Sequence, residues 1–126
     1  LGLIAQINSK FSGCIGAVAT DTHDGAAMAE VGTLWVPPES RRNKIASNIA
    51  DLLVSHITRE VVDTGVAPYA FCNKLSLPVF KGAGYNIKTA RDVPPSALSA
   101  CDHCPAKPAT GCCDTIVVYE GDKNDN

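Results

Sequence analysis

The stretch 36–57, VPPESRRNKIASNIADLLVSHI, restricts the fold more than any other part of the chain. The apolar run into Val36 reads as a strand that stops at Pro37-Pro38. Proline removes a ladder donor and holds its predecessor away from helical dihedrals. A long amphipathic helix is predicted from about Asn43, with Ile45, Ile49, Leu52, Leu53 and Ile57 on one apolar stripe. Arg41, Arg42 and Lys44 gather where strand gives way to helix. A first helical turn offers unbonded N–H groups and a partial positive charge, so this corner is built to hold an anion, above all a phosphate. A solvated basic helix start on an ordinary α/β domain is the other reading.

Around this corner the chain reads in order. Leu1–Ile7 and Cys14–Thr20 are β-compatible, and Gly16 marks a bulge or a close backbone approach in the second strand. Asp21–Gly25 supplies a hairpin with a favoured Asp-Gly pair, and Ala26–Val36 a third strand. Asp63-Thr64-Gly65 stops the helix. Tyr69–Cys72 is a short buried strand, Leu75–Ala83 a helix with Pro78 in its first turn, Tyr85–Arg91 a strand and Thr115–Glu120 the last one. The order β-β-β-α-β-α-β-loop-β predicts an α/β (α+β) fold with a mixed sheet and helices packed on it.

With 126 residues the chain makes one domain, 1–126. Charged residues are 19% of it and the formal net charge is −2, which argues against nucleic acid or anionic membrane as a general partner. No apolar run reaches the roughly 20 residues that span a bilayer, and no secretory leader is visible, so the expected location is cytoplasmic. The start at Leu1, without methionine, is compatible with a processed or trimmed N-terminus.

Four of the six cysteines fall in a Pro-containing insertion at about 92–114. Cys101-x-x-Cys104 with Cys112-Cys113 has the makings of a tetrathiolate zinc site, with His103 as a substitute ligand. Such a staple would explain how so long a connection stays ordered. Free or redox-active thiols and a disulfide remain open. Cys14 and Cys72 read as small buried hydrophobes, and His56 as a packed or surface residue.

The basic corner resembles motif A of the GCN5-related N-acetyltransferase superfamily, whose Arg/Gln-x-x-Gly-x-Gly/Ala signature cradles the pyrophosphate of acetyl-coenzyme A. Here it reads Arg41-Arg42-Asn43-Lys44-Ile45-Ala46, with lysine at the middle glycine. Asn73-Lys74-Leu75-Ser76 and Phe80-Lys81-Gly82-Ala83-Gly84-Tyr85 are similar to the family's motif B, Asn-x-x-Ala/Ser followed by Tyr-x-x-x-Gly-Phe. The likeness covers about Leu3 to Tyr85 and the last strand. It implies a mostly antiparallel sheet flanked by helices, here without the family's N-terminal strand and helices. The acceptor pocket would then be minimal, or completed by a partner subunit in a homodimer.

The resemblance further implies acetyl transfer from acetyl-coenzyme A to a small amine or peptide acceptor. The pantetheine arm would add to the backbone of Leu34, Trp35 and Val36, and Asn73 would bond the arm or the acceptor. Glu30, in the position of the family's glutamate base, would take the amine proton, with His23 and Asp24 as secondary candidates. Each has a plainer reading: a core strand, a helix N-cap, an outward-facing carboxylate. Phe80 stands where many members have the tyrosine that protonates the leaving thiolate. It can pack but cannot donate, and together with Lys44 it implies weakened turnover. An acyl-coenzyme A-binding or zinc-stapled interaction module, with or without a nucleotide site, is the alternative.

Overall fold

Three strands run back and forth before the chain turns helical: β1 (Gly2–Ile7), β2 (Lys10–Ala19) and β3 (Met28–Trp35). A computed structural model describes residues 1–7, 10–37, 44–97 and 115–121. The hairpin between β2 and β3 closes on Asp24 and Gly25, with φ of 52° and 81°. His23 and Ala26 exchange both backbone hydrogen bonds across it. Two successive positive φ angles make a type I′ turn, the twist-matched connection that an Asp-Gly pair favours. A register shift between Cys14 and Gly16 puts a bulge where the strand glycine predicted one.

α1 (Lys44–Asp63) follows, then β4 (Ala67–Cys72), α2 (Leu77–Gly82), β5 (Tyr85–Lys88) and β6 (Thr115–Tyr119). The six strands lie in the order β1-β2-β3-β4-β6-β5. Among the described residues only β3 and β4 pair in parallel, as the intervening helix requires. The expected mixed, mostly antiparallel sheet with helices on it is what forms.

α1 buries Ile49, Leu53, Val54, Ile57 and Val61 against Ile15, Ala17, Ala29, Val31, Ala70 and Val117. Leu52, read from sequence as part of this stripe, is instead 59% exposed. The buried arc is centred on Leu53 and Ile57 and widens toward Val54, Thr58 and Val61, which leaves Leu52 on the flank. The helix stops as predicted. Gly65 takes φ +82° and its N–H donates to the Val62 carbonyl at 2.9 Å.

Pro78 sits in the first turn of α2, where its missing N–H costs no helical bond. β5 ends at Lys88, earlier than the predicted Arg91. Thr89 diverts the chain into a short 3₁₀ turn over Ala90–Asp92. Its hydroxyl accepts from the Arg91 N–H, and Asp92 accepts from the Thr89 N–H, a capping box that competes with the strand.

α1 and β5 are pinned by a buried hydrogen bond of 2.7 Å between the Thr58 and Tyr85 hydroxyls. Burial pushes the Tyr85 phenol up to about 12, with the Thr58 bond lowering it in part. A phenol raised from the ordinary 10 keeps its proton in the folded state while the unfolded chain releases it. Stability therefore falls as pH rises from about 10 toward 12. Tyr85→Phe is expected to flatten that alkaline loss and to cost about 1 kcal/mol at neutral pH. Chemical denaturation at pH 7 and pH 11 checks both; an unchanged alkaline slope counts against the coupling.

Candidate active site

The parallel seam of the sheet is short. Met28, Ala29 and Glu30 pair with Ala67, Pro68 and Tyr69, and the β3–β4 ladder ends there among the described residues. The C-terminal halves of the two strands continue in pairing with β2 and β6 respectively. Glu30 thus stands at the point where β3 and β4 part company. Main-chain groups along such a divergence suit an amide-bearing ligand laid in as an extra strand.

Side chains alternate across the strands, so Ala29 and Val31 face α1 while Met28 and Glu30 face away from it. On that second face Met28 and Tyr69 pack under Val93 and Ala97, with Phe71, Ile116 and Val118 around them. Beside this small cluster lies a cleft of about 340 Å³, lined by Gly16, Val18, Thr20, Glu30 and Gly32. Glu30 is half-buried in it, and desolvation pushes its carboxyl above the ordinary glutamate range. A half-desolvated carboxylate at a cleft is a better proton acceptor than one in water.

Tyr69 supports the cleft from below. Its hydroxyl donates to Thr20 Oγ1 at 3.2 Å, and Thr20 Oγ1 donates to the Met28 carbonyl at 3.2 Å. Burial raises the Tyr69 phenol, the Thr20 bond pulls it back in part, and the Glu30 and Asp21 carboxylates add to the rise. The phenol therefore stays neutral beside Glu30 and fixes Thr20 at the cleft wall. Sequence reading passed over both residues: a tyrosine in a buried run and a threonine at a strand end carry no spacing signal.

The other sequence-predicted residues fall as follows. Leu34 is partly buried against the α1-side core and Val36 is buried in it. Trp35 is 43% exposed and stacks on Phe11 with ring centroids 5.7 Å apart. Lys44, Ile45 and Ala46 open α1, whose start lies beyond the C-terminal end of β3. Arg41, Arg42 and Asn43 lie outside the described residues.

Asn73 Oδ1 accepts from the Leu75 and Ser76 N–H groups, each at 2.9 Å, and so shapes the turn into α2. Phe80 is buried in the core, edge-on to Tyr85 at 5.0 Å. His23 bonds the Arg91 carbonyl through Nε2, and Asp24 lies 3.6 Å from the same nitrogen, so the hairpin is tied to the 3₁₀ turn. Ser96 donates to Asp21 at 2.7 Å in the same region.

Cys72 is fully buried in the core and Cys14 half-buried. Cys101, Cys104, Cys112 and Cys113 lie outside the described residues. Among the described residues no group of three or more His, Cys, Asp or Glu side chains is arranged to hold a metal. No described helix is long and apolar enough to cross a membrane. A larger cavity, about 510 Å³, runs between β1 and α1, lined by Leu3, Ala5, Ile49, Leu52 and His56 among others. It lies at the far edge of the sheet from the β3–β4 seam, and the chemistry of the chain favours the smaller cleft.

Three antiparallel strands, a helix, a parallel return and a divergent seam are the fold of the GCN5-related N-acetyltransferases. N-acetylglutamate synthase from Neisseria gonorrhoeae, complexed with coenzyme A and N-acetyl-glutamate, superposes with a TM-score of 0.63. The identity is 16% over 92% of this chain and 24% of the synthase. Arabidopsis thaliana Naa50, in complex with the bisubstrate analogue CoA-Ac-MVNAL, gives 0.59 at 17% identity over 95% of this chain and 72% of its own. Tetrahymena GCN5 gives 0.51 at 14% identity, covering 94% of this chain and 66% of its own. At these identities the likeness is one of fold, and the chain spans about a quarter of the synthase. No protein-family model matches the chain, and no curated protein matches it in sequence.

Proposed function

We propose that the chain moves an acetyl group from acetyl-coenzyme A to a primary amine by direct attack. The observation that carries this reading is Glu30, half-buried at the end of the β3–β4 ladder and opening on a cleft. Its support from outside the chain is that the synthase and Naa50 structures, similar in fold, are complexed with coenzyme A or a coenzyme A conjugate.

In this reading the diphosphate sits at residues 41–46 and the pantetheine arm runs along Leu34, Trp35 and Val36 toward the seam. The thioester then reaches the sheet beside Glu30, with the acceptor entering from the face away from α1. Glu30 takes a proton from the bound ammonium, and the freed nitrogen lone pair attacks the thioester carbonyl. The tetrahedral adduct gives its second nitrogen proton to solvent and collapses with loss of the coenzyme A thiolate, and the amide keeps the acetyl carbon. Solvent returns a proton to the thiolate, because Phe80 has no hydroxyl and lies in the core.

That same burial of Phe80 favours a second reading, a protein that binds acyl-coenzyme A and turns it over slowly or not at all. The cysteine-rich insertion is read as a zinc staple in either case, which elemental analysis decides.

Thiol release from acetyl-coenzyme A across a panel of amines separates the two readings. Release with any amine supports transfer; tight binding without release supports the module. Calorimetry with coenzyme A tests the corner itself. Replacing Arg41 and Arg42 together by alanine is expected to weaken binding at least about tenfold with the fold intact, since each removes a charge-assisted contact. Unchanged affinity would overturn the phosphate assignment.

A further inference from the structure

Tyr69 and Thr20 do not sit on neighbouring strands. β3 lies between β4 and β2, yet the Tyr69 hydroxyl reaches Thr20 Oγ1 at 3.2 Å. The tyrosine side chain therefore spans β3 on the face away from α1. Register fixes where it crosses. Tyr69 pairs with Glu30, and the Thr20 N–H donates to the Met28 carbonyl at 2.9 Å. The side chain starts level with Glu30 and ends level with Met28, so it passes between the two. Residues two apart on a strand share a face about 6.5–7 Å from each other, a gap that one aromatic ring fills.

The ring is fixed at both ends. Tyr69 is completely buried with Met28 under Val93 and Ala97, and Phe71 meets it edge-on at 6.0 Å. Its tip is held by the Thr20 hydroxyl, whose own proton goes to the Met28 carbonyl. Glu30 is left one way to lean. Its Oε2 lies 3.9 Å from where a Cβ on Gly32 would stand, on the side away from Met28. Among the described residues no hydrogen bond or ion pair directs the carboxylate there. Packing orients it. The titratable groups around the ring are Glu30 itself, the Tyr69 phenol and Asp21, and burial alone raises the Glu30 carboxyl.

We propose that Tyr69 is a positioning residue: its ring, stretched across β3 and tied to Thr20, walls the Met28 side of Glu30, keeps water from that side and turns the carboxylate toward the paired Gly16 and Gly32. The acceptor nitrogen then meets Glu30 over the glycine pair, away from Tyr69. This rests on the acetyl-transfer reading above and supplies what aims its base.

Tyr69→Leu removes the ring and keeps an apolar side chain. The expected protein is folded, with a lower melting temperature and unchanged coenzyme A affinity. Its Glu30 pKa should lie below that of the wild type, because water reaches the carboxylate. Turnover of n-butylamine should fall at least about tenfold in kcat, because the base is no longer aimed. Carbon-detected NMR titration of the side-chain carboxyls reads the pKa, with Glu30→Gln identifying the resonance. The rising limb of the pH–rate profile should move to lower pH with it.

Thr20→Val cuts the tie and leaves the ring. It should move the Glu30 pKa and kcat in the same direction by less, and Thr20→Ser, which keeps the oxygen, should restore both. This pair carries the test if Tyr69→Leu does not fold. An unchanged Glu30 pKa in folded Tyr69→Leu, or equal Glu30 pKa values in Thr20→Val and Thr20→Ser, overturns the strut. A Glu30 pKa that falls as expected in a protein that neither binds coenzyme A nor releases thiol overturns the acetyl-transfer reading instead.

Discussion

Glu30→Gln is expected to lower kcat/KM for the amine by roughly 10²–10⁴-fold while leaving coenzyme A affinity unchanged. The substitution keeps size and hydrogen-bonding capacity but removes the proton acceptor at the end of the β3–β4 ladder. The pH profile is the sharper readout. In the wild type the reactive form is ionised Glu30 with a bound ammonium. The rate should therefore climb as pH rises through the raised Glu30 pKa and then level off below the amine's own pKa.

The glutamine variant has no such plateau. It can use only the small fraction of free amine, which grows about tenfold per pH unit until the amine is deprotonated. A variant with the wild-type profile would rule Glu30 out as the base. Stability should move the other way. A carboxyl raised by desolvation is a charge the folded state holds reluctantly above its unfolded pKa, so Glu30→Gln should match or exceed the wild-type melting temperature near neutrality.

Ile57→Ala is expected to be the most damaging single change to the fold, at about 2–5 kcal/mol. Ile57 is completely buried where α1 meets the sheet, among Leu53, Val54 and Val61 on its own helix. Neighbours on a sheet and a long helix cannot collapse into the space left behind, so the cavity persists. Against a total of about 5–15 kcal/mol for a domain this is a large fraction. Urea denaturation measures it. Leu52→Ala, on the exposed flank of the same helix, is the control and should cost far less. Equal losses at the two positions would mean that the assigned face of α1 is wrong.

Much of the architecture was legible because local chemistry and tertiary demand agree in this chain. The Asp24-Gly25 turn and the Gly65 stop are dictated by positive φ angles that few residues tolerate, and Pro78 by the first helical turn, where its missing N–H costs nothing. Gly16 announced a bulge because glycine inside a strand run otherwise weakens it. Leu52 was misread because periodicity gives a stripe but not its width, and β5 was drawn too long because the Thr89–Asp92 capping box is a side-chain event.

The site divides in the same way. A lone glutamate among apolar strand residues could be flagged from sequence, but its cleft could not. The cleft depends on which residue of β2 faces which residue of β3, and that register slips by one between the His23–Ala26 turn pair and the Ala19–Ala29 pair, which the turn residues do not announce. Tyr69, Thr20 and Gly32 matter only through that register.

The three-residue seam has a mechanical side. It is the sole ladder joining the β1-β2-β3 leaf to the β4-β6-β5 leaf among the described residues, and α1 spans the join by touching both. The sheet is thus a pair of panels with a narrow hinge and one brace across it. A group inserted between the panels would press on that brace, so α1 would bear the load of any widening of the seam.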